Sequence, residues 1–292
     1  MAIADIRQAM NKTSKSMLLI VLILGLAAGV YWLEQPATPP ATVPPVASVP
    51  DLKQLAEQAV AVYRSAQNMQ TGAKPGQWKL DAKASNSPGP FVGVFCPLQL
   101  AQDGQGRQLL LSTFVADTAD SAGEGMDSFA ASGISRLLLF VLQNGQYVLQ
   151  TEKQLEMGSN GMAAAARVVQ LGPHEWGWVL QSSYLQQGYT ASTVEFFHAT
   201  ATDIRSMGHL TEQADNKGVC GDSAGDGCPA ITDLQVRWRW LPQAAMPDGR
   251  FYPLDIQWQG MIDGKKISQH AQLLPDAGSG IYPFPASLNV QF

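Results

Sequence analysis

From about Gln77 onward, apolar and polar residues alternate in short runs separated by explicit turn signals. A period of two is what a half-buried strand needs, because successive side chains leave opposite faces of a sheet. The runs that fit are Phe91 to Leu98, Gln108 to Phe114, Leu137 to Leu142, Tyr147 to Thr151 and Val168 to Leu171. Further on come Trp176 to Gln181, Thr193 to His198, Leu234 to Trp240, Asp255 to Ile262 and Lys265 to Gln272. Asn144-Gly145 and Asp263-Gly264 supply the positive φ of tight hairpins, and Asp103-Gly104 and Asp248-Gly249 suit slightly longer turns. Strands joined at such short intervals pair antiparallel, so the pattern predicts a mainly β domain, a sandwich or barrel-like. Residues 116–136, including Met126 to Ala131, interrupt it and are expected to hold a helical turn or more.

The first third of the chain reads differently. Met17 to Leu33 is an uncharged run of 17 residues, MLLIVLILGLAAGVYWL. As a helix it is about 25 Å long, the short end of what spans a bilayer core. Tyr31 and Trp32 stand at its outer end, Lys12 and Lys15 precede it, and only Glu34 follows closely. By the positive-inside rule the cytoplasmic tail is 1–16, the anchor is 17–33, and the remainder is translocated. A cleaved signal peptide is the rival reading, since Gly25-Leu26-Ala27 and Ala27-Ala28-Gly29 offer small residues at cleavage spacing. The run continues past both sites, which favours a retained single-pass anchor in a bacterial inner membrane with the domain in the periplasm.

Residues 34–50 are rich in proline and form an extended spacer of polyproline type. Asp51 caps an amphipathic helix over 51–66, with Leu52, Leu55, Ala56, Ala59, Val60 and Tyr63 on one face. That face is expected to pack onto the domain, 51–292; a short self-association helix is the alternative.

After Leu33 the chain carries 16 basic and 23 acidic residues, near −7. That field repels nucleic acid, and no basic stripe overrules it. Among three cysteines there is no Cys-x-x-Cys. Export favours a disulfide between Cys220 and Cys228, with Cys96 a buried thiol between Phe95 and Pro97. The segment Glu212 to Cys228 is rich in Gly and carboxylates, and Asp215, Asp222 and Asp226 are weak calcium candidates. EF-hand order fails there, because Ala224 stands where an oxygen ligand is needed. Otherwise no cofactor is indicated.

His174, His198, His209 and His270 are scattered, without zinc spacing. His198 ends an apolar run and reads as a core or rim histidine. Asp117, Asp120, Glu124 and Asp127 read as a solvated loop. There is no Gly-x-Ser-x-Gly elbow and no glycine-rich phosphate cradle. Trp176 and Trp178 alternate, as do Trp238 and Trp240 around Arg239, with Arg237 before them. Each pair is read first as core; Trp238 and Trp240 are also a candidate binding surface, with the arginine face wet.

The reading is therefore an envelope binding module without catalysis, in contact with the inner membrane and another envelope protein. Its loops at Asn144-Gly145, Asp263-Gly264 and 212–228 are candidate contact points. Such a binder is expected to show an apolar patch and no histidine gathered with carboxylates at a cleft. An envelope-polymer or ester hydrolase assembled only in the fold, and a calcium-stabilised structural subunit, are the alternatives.

Overall fold

The run ISRLLLFVLQ explains how the first half of the domain is layered. It forms a strand, β6 (Ile134–Gln143), of which the first eight residues are all buried. A strand buried on one face only would alternate; this one is covered on both. Leu137, Leu139 and Val141 pack against Trp178, Leu180 and Phe197, whereas Leu138 and Phe140 pack against Ala56, Ala59 and Tyr63 of a helix. That helix is α1 (Leu52–Ala66), and the Lys53 amide donates to Asp51 Oδ1 at 2.9 Å, the expected cap. Its buried face lies on the domain, with Tyr63 Oη accepting from Arg136 Nη1 at 3.1 Å.

The computed structural model describes residues 51–85, 89–120, 122–125, 131–200, 202–220, 228–242 and 249–290, the side chain of Cys220 apart. All belong to one compact unit, Pro50–Phe292. The apolar run at Met17 to Leu33 and the proline-rich spacer lie outside the described residues. Among those described, no helix is long and apolar enough to cross a membrane.

The domain is mainly antiparallel β. Sheet 1 contains β1 (Gln70–Thr71), β2 (Trp78–Leu80), β3 (Phe91–Phe95), β4 (Gln99–Gln102), β5 (Gln108–Thr118), β6 and β7 (Gln146–Glu156). Its order is β1-β2-β3-β5-β6-β7, with β4 also paired to β5. A small hairpin, β8 (Gly158–Ser159) and β9 (Met162–Ala163), leads into sheet 2. Sheet 2 is a meander of β10 (Ala165–Gln170), β11 (Trp176–Gln186), β12 (Tyr189–Ala199), β13 (Ile204–Asp215), β14 (Asp233–Trp240), β15 (Leu254–Ile262) and β16 (Lys265–Leu273). The four-residue helix α2 (Lys217–Cys220) follows β13. The hairpin turns expected at Asn144-Gly145 and Asp263-Gly264 have positive φ at both positions.

One face of sheet 2 meets sheet 1 through Trp178, Leu180 and Phe197. Its other face closes over a second core of Val179, Phe196, Leu210, Leu234, Ile256 and Leu254. The sheet curls to achieve this. Register shifts at Ser192/Thr193 and Phe196/Phe197 add twist between β12 and β13. As a result Trp238 of β14 meets Phe196 of β12 edge-on, ring centroids 5.0 Å apart. Arg167 of β10, four places away in strand order, lies 5.4 Å from the Trp238 ring.

The C-terminal segment fills the curl. The Tyr282 amide donates to Met207 O at 3.0 Å, and Phe284 stacks on Phe196 at 5.7 Å. Gly208 is required beneath it: its φ is +112°, and a Cβ would lie 2.8 Å from the Phe284 ring.

Two expectations are corrected. Glu212 to Asp215 belong to a twelve-residue strand, β13, rather than to a loop. The helical turn expected about Met126 to Ala131 lies almost wholly outside the described residues; the described part of 116–136 holds the end of β5, a turn, a bridge from Ala119 to Gly125 and the start of β6. Cys96 is half-buried, not fully buried; it is a free thiol, with Sγ 3.8 Å from Ala166 O.

Candidate functional site

Strand β14 reads DLQVRWRW, and its geometry follows from that alternation. Leu234 and Val236 are buried and Trp238 and Trp240 half-buried on the inner face; Gln235, Arg237 and Arg239 are exposed on the outer one. The two indoles meet edge-on with centroids 5.2 Å apart. Trp240 Nε1 donates to Tyr282 Oη at 3.3 Å, and Tyr282 in turn donates to Tyr252 O at 2.6 Å. Burial pushes the Tyr282 hydroxyl up to about 12, so it stays a proton donor throughout the neutral range.

Beside β14 opens a cleft of about 720 Å³ lined by Arg167, Gln170, Glu212, Tyr252 and the strand itself from Val236 to Trp240. Trp238 Nε1 donates to Glu212 Oε1 at 2.6 Å, and Gln181 Nε2 donates to Glu212 Oε2 at 2.6 Å. Both carboxylate oxygens are thus occupied from within, and the indole is held in one orientation. The cations differ. Arg239 Nε lies 3.1 Å from Asp255 Oδ2, but its side chain is 74% exposed and retains unused donors. Arg167 and Arg237 have no carboxylate partner among the described residues. On a chain with excess acid, this is a locally positive cleft walled by aromatic rings.

Two of the four histidines join carboxylates, against the expectation for a binder. His198 Nε2 lies 2.6 Å from Glu175 Oε2, and Arg250 Nε lies 2.7 Å from Glu175 Oε1. Burial raises the Glu175 carboxyl, but the hydrogen bonds and charges of His198 and Arg250 outweigh it and hold it below the usual range. The ionised carboxylate accepts, so His198 Nε2 is the donor. The loop carrying Arg250 passes so close that a Cβ on Gly172 would lie 1.8 Å from Arg250 O. A smaller cavity of about 230 Å³ borders this group, with Asp103, Arg107, His174 and Thr200 in its wall. The second pair is His270 Nε2 with Asp255 Oδ1 at 2.5 Å. The hydrogen bond from His270, more than that from Arg239, lowers the Asp255 carboxyl against the opposing effect of burial.

The hydroxyl in the His198 wall, Thr200 Oγ1, donates to Asp203 O at 2.9 Å and accepts from the Asp203 amide. It is the pivot of a turn, not a free nucleophile. His198 is only 4% exposed and packs edge-on against Phe251 at 5.0 Å. Glu175 therefore ties the β12 end to the Arg250 loop, as a rim histidine and its partner.

The other sequence-derived residues separate. Asp215 Oδ1 accepts from the Lys217 amide at 2.8 Å, at the end of a strand. Asn216 is buried and bonds Ala230 O and the Thr232 amide, both at 2.8 Å. Asp222 and Asp226 lie outside the described residues, as does the side chain of Cys220, so the Cys220–Cys228 link falls there too. Among the described residues no three His, Cys, Asp or Glu gather as metal ligands. Asn144-Gly145 and Asp263-Gly264 do not line the β14 cleft. Trp178 is core, fully buried, whereas Trp238 and Trp240 face both the core and the cleft. Arg167, Gln181, Glu212 and Tyr252 were not read as partners of β14 from sequence: Glu212 and Tyr252 come from or beside the paired strands β13 and β15, and the curl of the sheet brings in Arg167 and Gln181.

No family model, curated protein or solved structure matches this chain. Its function rests on its own residues.

Proposed function

We propose that this chain is a membrane-anchored binding module of a bacterial cell envelope, with Met17 to Leu33 as its anchor and the β14 cleft as its contact surface for another envelope protein. The observation that carries the reading is the pairing of two arginines without carboxylate partners among the described residues, Arg167 and Arg237, with an indole held in place by Glu212. Exposed guanidinium and half-buried tryptophan are the side chains that supply most binding energy at protein interfaces. The rigid setting of Trp238 limits the entropy lost on contact. The mixed, charged character replaces the purely apolar patch expected from sequence. The hydrolase alternative loses support at His198, whose neighbouring hydroxyl is committed to a turn.

The test is site-directed photocrosslinking of the full chain in native membranes. A photoreactive residue at Gln170, in the cleft wall, is expected to give a discrete protein adduct, and one at Gln150 on β7 none. Equal labelling at both positions, or none at either, contradicts the reading. The anchor is tested separately: the protein is expected to fractionate with membranes, and a mature N-terminus near Ala28 or Gly29 contradicts it.

A further inference from the structure

The backbone of β14 carries more information than its side chains. β13 pairs with it only at Asp233, Leu234 and Gln235, while β15 pairs with it from Asp233 to Trp240. From Arg237 to Trp240, then, β14 has a strand on one side and none on the other among the described residues. The Leu241 amide donates to Pro253 O at 2.9 Å, which sets the phase of the ladder. Hydrogen-bonded and non-bonded positions alternate along an antiparallel pair. Arg239 and Arg237 therefore turn their amides and carbonyls to β15, and Trp238 and Trp240 turn theirs to the open side; Val236, next to the last β13 pair, turns its amide to Glu212 at the end of that ladder. This open edge borders the 720 Å³ cleft.

We propose that the edge of β14 receives an extended acidic segment of a partner protein as an added strand. The inference rests on the reading of this cleft as the contact surface and specifies how the partner engages. Unpaired edges are ordinarily covered or blocked, because they template pairing with another chain. This one is flanked by Arg237 and Arg239, two residues apart on one face and so roughly 7 Å apart along the strand. A paired strand with carboxylates at alternate positions matches that spacing, since cross-strand neighbours share a face. The intervening residues fall on the face of Trp238 and Trp240, where apolar side chains suit the rings. Backbone bonds give affinity in this mode, and alternate side chains give selectivity. Charge complementarity decides the class of occupant: on the face that takes the carboxylates, Arg237 has no carboxylate partner among the described residues, and Arg239, beside Asp255, keeps a side chain that is 74% exposed.

The experiment uses the full chain in nanodiscs and a fluorescent peptide of alternating Glu and Val, read by anisotropy. Binding is expected, with an alternating Lys and Val peptide showing none. N-methylation of the peptide amides on one edge is expected to weaken binding about tenfold or more, and on the other edge to leave it unchanged. The double substitution Arg237→Glu and Arg239→Glu is expected to weaken it by a similar factor, about tenfold. Circular dichroism checks the fold of that variant, and the N-methyl series uses the unaltered protein. Polygalacturonate displacing the peptide, combined with no effect of N-methylation, overturns strand addition in favour of an anionic glycan. Self-association of the chain that Arg237→Glu abolishes overturns it in favour of a second copy. If adducts form at Gln170 but no peptide binds, strand addition fails while the binding reading stands; if neither occurs, both fail.

Discussion

Strands β6 and β14 sit in the same domain and are opposite in construction. β6 has a full-length strand on either side, sheet 2 against one face and α1 against the other. β14 has β15 along its whole length, β13 along three residues only, and two guanidinium groups standing out from its exposed face. Satisfying every backbone group and both faces produces a strand that can do nothing but hold the fold. Leaving one edge and one face of charge unsatisfied costs stability locally and provides a place to bind.

That contrast can be broken most readily at β6. Phe140 is 2% exposed, and Phe140→Ala is expected to lower stability by about 3–5 kcal/mol in chemical denaturation. A loss below about 1 kcal/mol would mean that the two-sided packing is not what holds this half together. Next in size is the proposed Cys220–Cys228 link near the short β13–β14 pairing. Its loss in Cys220→Ser is expected to cost roughly 2–3 kcal/mol, and non-reducing peptide mapping should find the link in the parent. A peptide linked through Cys96 would contradict the pairing.

Glu175 gives a smaller, pH-dependent effect. Its carboxyl is held below the ordinary range in the fold, so its contribution is present above the ordinary glutamate pKa and is lost as pH falls through the folded value. Glu175→Gln is expected to cost about 1–2 kcal/mol at neutral pH. The difference from the parent in thermal melts should shrink between about pH 5 and pH 3. A difference that stays constant, or grows on acidification, would contradict the assigned role. The smallest effect is expected on β14: Arg237→Ala should change stability by no more than about 0.5 kcal/mol, because its side chain makes no hydrogen bond or ion pair among the described residues. A large loss there would remove the contrast between the two strands.

Much of the fold was legible, and the gaps have physical causes. Every segment with period-two alternation lies wholly or partly in a strand, and Asn144-Gly145 and Asp263-Gly264 turn where positive φ was expected. The strands not picked out are β1, β2, β4, β8 and β9, each of two to four residues, and one long strand, β13. Its buried residues Ile204, Met207, Leu210 and Ala214 are spaced by three and four, because the register shifts against β12 insert extra residues and disrupt the alternation. A bulged strand thus carries a helical spacing, and its end was read as the start of a surface loop pinned by a disulfide, with calcium the weaker alternative. The Gln187-Gly188 turn was missed because glutamine gives no signal for positive φ. At the cleft, the alternation of Trp238 and Trp240 with exposed arginines was readable. The partners on β10, β11 and β13 were not, since the curl that brings Arg167 over Trp238 depends on the whole sheet.

Amide hydrogen exchange along β14, measured by NMR on the full chain, tests the open edge most directly. An alternation is expected: the amides of Arg237 and Arg239, bonded to β15, exchange slowly, and those of Trp238 and Trp240 exchange fast. Adding the acidic peptide should slow the second set alone. Uniform protection from Arg237 to Trp240 in the free protein would contradict the open edge, and with it the proposed mode of binding.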